Sequence, residues 1–248
     1  MKKYGLIGYP LDHSFSKDFF NRKFKSEEIE AEYINFQIEN VKELKNVLKE
    51  NPSLCGLNVT LPYKTQVIPL LDEIDKDARL IGAVNVIKFI KGRFKKLKLK
   101  GYNSDITGFK ESIEPLLDKK IHQKALILGT GGASKAVYHG LKQLGIEVQF
   151  VSRVQEPNCI TYDEVTHECI EQHPIIVNAT PLGMFPHIEE CPNIPYESLT
   201  SNHLLYDLLY NPDETLFMHK GKVKGATVKN GLEMLLLQAF VSWKIWNM

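Results

Sequence analysis

The stretch Leu57-Asn58-Val59-Thr60-Leu61-Pro62-Tyr63-Lys64 delivers a lysine just past a strand. The run 57–61 is apolar and β-branched, and its period of two sets Asn58 and Thr60 on one face. Pro62 cannot donate to a ladder and ends the strand, and Tyr63 then opens a helix. An ammonium held there can give a proton to a developing alkoxide, and its amine can take one back. Three more polar groupings interrupt ordinary apolar patterning. Ser14 and Ser16 follow the first strand and open a helix, so their hydroxyls either hold a carboxylate or cap the helix. Asn85 lies inside the strand-like run Gly82-Ala83-Val84-Asn85-Val86, where a buried amide needs partners. Asn103 and Asp105 stand at the junction of the two halves, with Asp105 either a helix N-cap or a carboxylate that orients the lysine. A lysine near an aspartate, facing a nicotinamide, is a proton-transfer arrangement for ketone reduction.

The nicotinamide is read from Ala125-Leu126-Ile127-Leu128-Gly129-Thr130-Gly131-Gly132-Ala133-Ser134. An apolar strand runs into a glycine turn and then a helix, whose free N–H groups and positive dipole end suit a pyrophosphate. Ser134 stands at the last position of the fingerprint in place of glycine or alanine. The following strand ends in Ser152-Arg153, with no acid at its tip. A guanidinium there suits a 2′-phosphate, so NADP(H) is the expected cofactor, with Glu156 a nearby charge of the opposing sign.

These residues need an alternating α/β chain to position them. Strands are expected near 4–8, 31–38 and 54–60, with helices near 16–24, 41–49, 64–71 and 75–81. Segments 84–90 and 95–101 read as a hairpin around Lys91-Gly92-Arg93, with Lys95, Lys96, Lys98 and Lys100 on a solvated face. A helix is expected at 105–117, then strand, glycine turn, helix and strand over 124–153. Strands follow at 175–180, 203–210 and 221–227, and a long apolar-rich helix at 231–246. Met234 and Gln238, four apart, share one face of that helix.

The chain has 248 residues, enough for one large or two small domains. A net charge of +1 makes no electrostatic case for nucleic acid or an acidic membrane. No stretch approaches the ~20 apolar residues of a membrane helix, and the N-terminal run reads as a strand rather than a signal peptide. The four cysteines lack C-x-x-C spacing and the eight histidines lack ligand spacing, so no metal is expected and free thiols in a cytoplasm are.

Together these residues resemble the shikimate dehydrogenase family. The likeness runs along nearly the whole chain, through Ser14-Phe15-Ser16, "NVTLPYK" at 58–64, "GAVN" at 82–85, "NSD" at 103–105, "GTGGAS" at 129–134, "NATPLGM" at 178–184, "YDLLYNP" at 206–212 and "NGLEMLLLQA" at 230–239. It implies an N-terminal mixed-sheet substrate domain, 1–103 plus 228–248, and a Rossmann-type NADP-binding domain, 104–227. It implies the reversible NADPH-dependent reduction of 3-dehydroshikimate to shikimate, in aromatic amino-acid biosynthesis, with Lys64 and Asp105 as the catalytic pair. Ser14, Ser16 and Thr60 would hold the substrate carboxylate with help from Tyr210, and Asn58, Asn85, Asp105 and Gln238 the ring hydroxyls. Gly129, Gly131, Gly132, Ala133 and Ser134 would cradle the cofactor phosphates, and Ser152 and Arg153 the ribose phosphate. Thr180, Leu208, Gly231 and Met234 would lie along the cofactor. A monomer or homodimer is expected. The chain departs from the family pattern at Lys17, Ser104, Ser152, Val154 and Glu156. The two serines with Thr60 favour shikimate over quinate, and the presence of Lys64 and Asp105 favours an enzyme over a ligand sensor.

Overall fold

Apolar and β-branched runs form β1 (Lys2–Gly8), β2 (Ala31–Gln37), β3 (Leu54–Val59), β4 (Glu73–Ile74), β5 (Val86–Lys91) and β6 (Leu97–Tyr102). In the computed structural model, which describes residues 1–11, 14–91 and 97–248, these strands make one sheet in the order β2-β1-β3-β5-β6-β4. β1 pairs parallel with β2 and β3, whereas β3, β5 and β6 run antiparallel in turn, and β4 lies parallel on β6. Alternation then divides the core. Ile7, Leu57, Val59 and Ile87 join one apolar cluster, and Tyr4, Leu6 and Val86 join the other. α1 (Phe15–Ser26) lays Phe20 and Phe24 into the second cluster, Phe20 against Trp246 and Phe24 against Trp243. α2 (Leu44–Glu50), α3 (Tyr63–Gln66) and α4 (Lys76–Ile81) contribute Leu44, Tyr63 and Ala78 to the first. Each fully buried large apolar side chain contributes about 1.5–3 kcal/mol over leaving it exposed.

The hairpin ladder runs from Val86↔Tyr102 to Lys91↔Leu97. The expected turn at Gly92-Arg93, and Lys95 and Lys96, lie outside the described residues. Lys98 is exposed and meets Glu73 at 3.3 Å, while Leu99 beside it is buried.

The second sheet contains β7 (Lys124–Leu128), β8 (Glu147–Ser152), β9 (Cys159–Thr161), β10 (Ile175–Asn178), β11 (Leu204–Asp207) and β12 (Thr227–Lys229), in the order β12-β11-β10-β7-β8-β9. All its pairings are parallel. Read from β7 outward in both directions, it has the doubly wound form of dinucleotide-binding folds, with the order reversing between β7 and β10. Ala125, Ile127, Val177 and Tyr206 face one cluster, and Leu126, Leu128, Ile176 and Leu205 the other, so the sheet is covered on both sides. Its helices are α5 (Asp105–Ile113), α6 (Gly132–Gln143), α7 (His167–Gln172), α8 (Leu216–Val223) and the start of α9 (Leu232–Asn247).

By internal contacts the chain divides into two compact units, Met1–Ser104 with Ala239–Met248, and Asp105–Gln238. The expected divisions fell at 103/104 and 227/228; the contact boundaries fall at 104/105 and 238/239.

One expected strand is a helix. Segment 221–227 reads as alternating, but α8 runs through Val223 and the strand there is Thr227–Lys229. Gly221 is a packing glycine: a Cβ would stand 2.4 Å from Leu205 Cδ2, so its absence lets α8 lie on β11. β4, β9 and α7 were not expected, the first two being short and α7 having only one buried residue, Ile170. Three expected helices are shorter, because 41–43, 68–70 and 114–116 form 3-10 turns, the latter two with proline in their first turn.

Candidate active site

The first unit gathers its polar residues at the carboxyl ends of β1 and β3. Asn58, on β3, is 6% exposed. Its Nδ2 donates to the Asn85 carbonyl at 3.2 Å and to Ser242 Oγ at 2.9 Å, and its Oδ1 accepts the Tyr33 hydroxyl at 2.8 Å. Both amide hydrogens are spent inside the protein, which leaves lone-pair capacity on Oδ1. Asn85 precedes the antiparallel β5 and so stands beside the end of β3, where the Val59 N–H donates to its carbonyl at 2.9 Å. Its Nδ2 donates to Ser104 Oγ at 3.0 Å, and its Oδ1 accepts the Ser104 N–H at 2.7 Å. The Ser104 and Ser242 hydroxyls lie 3.3 Å apart. Asn103 donates to the Ala83 carbonyl at 3.1 Å.

Ser14 caps α1, its Oγ accepting the Lys17 N–H at 3.3 Å. Its own O–H can donate to a carboxylate. Ser16, one turn in, hydrogen-bonds the Tyr33 hydroxyl, whose ionisation burial pushes well above the usual phenol range. Thr60 follows β3 at the same end, its N–H donating to the Ile7 carbonyl at 3.0 Å. α3 is pinned from both sides. The Tyr63 hydroxyl donates to the Ile38 carbonyl at 2.6 Å, and the Lys64 carbonyl accepts the Val84 N–H at 2.8 Å. Lys64 is thereby held half-buried, four residues past Thr60 and one hydrogen bond from the residue before Asn85.

The second unit has its own cluster at the switch point, where β7 and β10 diverge. Gly129 follows β7 at φ +101°, a left-handed backbone that favours glycine, with its N–H on the Val151 carbonyl at 2.8 Å. Gly131 is the N-cap of α6 and gives no side-chain cap, whereas Ser14, Asp75, Thr166 and Thr215 cap α1, α4, α7 and α8. A Cβ added at Gly131 or Gly132 meets nothing within 4 Å. The protein's own packing does not require those two glycines, and the space above them suits an approaching pyrophosphate with uncapped N–H groups beneath it. Ala133 follows, and Ser134 is buried with its Oγ donating to the Gly131 carbonyl at 2.6 Å, which ties the turn. Ser152 ends β8 and Arg153 is exposed beyond it.

Across the switch point, Thr180 donates both N–H (3.0 Å) and Oγ1 (2.7 Å) to Asn178 Oδ1. Asn178 Nδ2 donates to Asp207 Oδ1 at 3.1 Å, and Asp207 also accepts the Leu209 N–H at 3.0 Å and Thr215 Oγ1 at 2.6 Å. Burial lifts this carboxyl from its ordinary 3.8 to about 6, against the pull of those donors. Leu208 donates its N–H to the Asn178 carbonyl at 3.0 Å, and Tyr210 is exposed. Gly231 is required by the protein itself, since a Cβ there would stand 2.2 Å from the Leu208 carbonyl oxygen. Met234 is buried in the core of this unit, and Gln238 Nε2 donates to the Leu235 carbonyl at 2.8 Å. Asp105 opens α5 and is 9% exposed.

Reading the sequence missed Tyr33 and Ser242, which hold Asn58, and the Asn178–Asp207–Thr215 network. Ser242 lies one turn beyond Gln238, a spacing that was available as a signal. Among the described residues no cluster of three His, Cys, Asp or Glu can hold a metal, and no helix is long and apolar enough to cross a membrane.

A parallel, doubly wound sheet with an open glycine turn, in one chain with a mixed-sheet unit that buries a polar network, defines a two-unit α/β protein of the dinucleotide-dependent class. The model of the shikimate dehydrogenase substrate binding domain matches residues 6–87. The shikimate dehydrogenase (NADP+) of Methanococcus maripaludis is 36% identical, over 99% of this chain and 92% of that protein. A crystal structure of shikimate dehydrogenase in complex with NADP+ superposes with a TM-score of 0.88 at 34% identity, over 99% of this chain and 90% of that one. Shikimate 5-dehydrogenase from Thermus thermophilus, in complex with NADP(H) and shikimate, superposes at 0.84 and 30% identity, over 99% and 93%. The chain belongs to the shikimate dehydrogenase family.

Proposed function

We propose that this protein catalyses the reversible NADP-dependent interconversion of 3-dehydroshikimate and shikimate. The observation that carries the reading is the glycine turn at the switch point, open above Gly131 and Gly132 and uncapped below, in a chain that is family-like over 99% of its length. NADPH, when bound, supplies the hydride for the ketone carbon. Gly129, Gly131, Gly132, Ala133 and Ser134 would hold its phosphates, Ser152 and Arg153 its ribose phosphate, and Thr180, Leu208, Gly231 and Met234 its length.

Lys64 holds the proton that the substrate oxygen takes up on reduction, and its amine removes that proton in the reverse direction. Asp105 orients the ammonium and accepts a ring hydroxyl. Ser14, Ser16 and Thr60 donate to the carboxylate, with Tyr210 assisting. Asn58 contributes an acceptor only, because both its amide hydrogens are bonded within the protein. Asn85 and Gln238 complete the hydroxyl contacts. The first unit thus takes the substrate and the second the cofactor. We place the protein in the cytoplasm as a monomer or homodimer, in line with four cysteines present as thiols. Initial rates of shikimate oxidation by the purified protein, with NADP+ and then with quinate in place of shikimate, test the reading. Turnover of shikimate with little turnover of quinate is expected; folded protein that binds NADP+ yet turns over neither would overturn it.

A further inference from the structure

The loop from Arg153 to Asn158 joins β8 to β9, where a dinucleotide fold reads the adenosine ribose. It carries two opposite charges. Arg153, Val154 and Gln155 are exposed, but Glu156 folds back half-buried onto the strand tip. Ser152 Oγ donates to Glu156 Oε1 at 3.2 Å, and the Val154 N–H donates to the same Ser152 Oγ at 3.3 Å. The Glu156 carbonyl accepts the Cys159 N–H at 3.2 Å, so the backbone on the far side is fixed as well. The two charges act on different neighbours. After burial, Glu156 adds to the upward push on the Cys159 thiol, whereas Arg153 counters the effect of burial on Tyr162. Among the described residues no ion pair joins Arg153 to Glu156. The carboxylate is therefore held at the ribose-reading tip by the Ser152 hydroxyl, without an ion pair to the adjacent guanidinium.

We propose that Glu156 is a specificity-determining residue that accepts the ribose 2′-hydroxyl of NAD and opposes the 2′-phosphate of NADP, so that this chain binds both dinucleotides. The proposal rests on the reading that the second unit binds a nicotinamide dinucleotide. A carboxylate oxygen accepts a hydroxyl hydrogen directly. A phosphate dianion beside it has no proton to offer, and the like charges repel more strongly near a protein surface than in bulk water. Arg153 supplies an opposing attraction, and the balance of the two sets the ratio of affinities.

The test is calorimetric titration of the full chain and of E156Q and E156K with NADP+, NAD+, 2′,5′-ADP and 5′-AMP. The two adenosine fragments carry the discriminating group without the nicotinamide, so the readout does not depend on activity. The amide introduced by E156Q keeps an acceptor for the Ser152 hydroxyl, and the far-UV spectrum checks that the loop change leaves the fold intact. E156Q is expected to tighten NADP+ and 2′,5′-ADP about tenfold and to leave NAD+ and 5′-AMP unchanged or weaker, with E156K going further. A ratio of NADP+ to NAD+ affinity that moves less than roughly twofold in both variants, or a wild-type ratio above roughly a thousandfold, overturns the proposal. A wild-type chain that binds none of the four ligands overturns the cofactor reading itself, an outcome distinct from either.

Discussion

At the scale of single residues, the lysine and the glycines make separable predictions. Lys64 is set in place by backbone and by Tyr63, since α3 is pinned through the Lys64 carbonyl and the Tyr63 hydroxyl. Lys64→Ala should therefore leave the fold intact. It should lower kcat for shikimate oxidation by about 10²- to 10⁴-fold, the usual worth of a positioned proton donor. Equilibrium binding of shikimate should change only a few-fold, and a variant that keeps full kcat would remove Lys64 from the chemistry. Gly131 and Gly231 form a contrasting pair. A methyl at 231 collides with the Leu208 carbonyl, whereas a methyl at 131 meets only open space. Gly231→Ala should cost on the order of 1–3 kcal/mol in urea unfolding. Gly131→Ala should unfold at the wild-type midpoint and bind NADP+ more weakly. Lys64 and Gly131 were visible in the sequence, because a glycine turn after a strand and a lysine after a strand-ending proline are local patterns, whereas Gly231 was singled out only through the family resemblance. The partners of Asn58 were not. Tyr33 lies 25 residues away and Ser242 lies 184 away, distances at which only the folded sheet and helix bring side chains together.

At the scale of elements, Asp207 ties three of them. Its carboxylate receives Asn178 at the end of β10, the Leu209 N–H just past β11, and Thr215, the N-cap of α8. Because burial raises its pKa to about 6 from 3.8, the native state binds its proton more tightly than the unfolded chain does. The stability it contributes is present in full below about pH 4. It is then lost as pH rises through about 6, at a cost on the order of 3 kcal/mol. Asp207→Asn cannot titrate. Its stability relative to wild type should therefore rise between about pH 4 and about pH 6.5 and level off above that, as read from urea midpoints of both proteins at each pH. A difference that stays flat, or falls, would show that Asp207 is already ionised at the lower pH. The strand holding Asp207 was legible as an apolar run, yet its length was overestimated, 203–210 against Leu204–Asp207. A run of leucine and tyrosine carries no local mark where pairing stops. The same limit produced the misplaced strand at 221–227, where Gly221 serves helix packing and no signal of sequence separates that use from a turn.

At the scale of the whole molecule, one continuous helix runs through both contact units. α9 carries Met234 in the core of Asp105–Gln238 and Trp246 in the core of the other unit. Periodicity predicted that helix, but not which core each end would enter, since both its ends are apolar. The chain's two tryptophans, Trp243 and Trp246, both lie in the first unit. Their fluorescence therefore reports unfolding of the unit that does not contain the glycine turn. NADP+ at about a hundred times its Kd should stabilise the unit it binds by about 2.7 kcal/mol. Unravelling either core frays the helix that enters the other, so the two should unfold together. The tryptophan transition in urea should then move to higher denaturant when NADP+ is added, in step with the far-UV signal. If the far-UV midpoint rises while the tryptophan midpoint stays in place, α9 does not couple the units, and each carries its own stability.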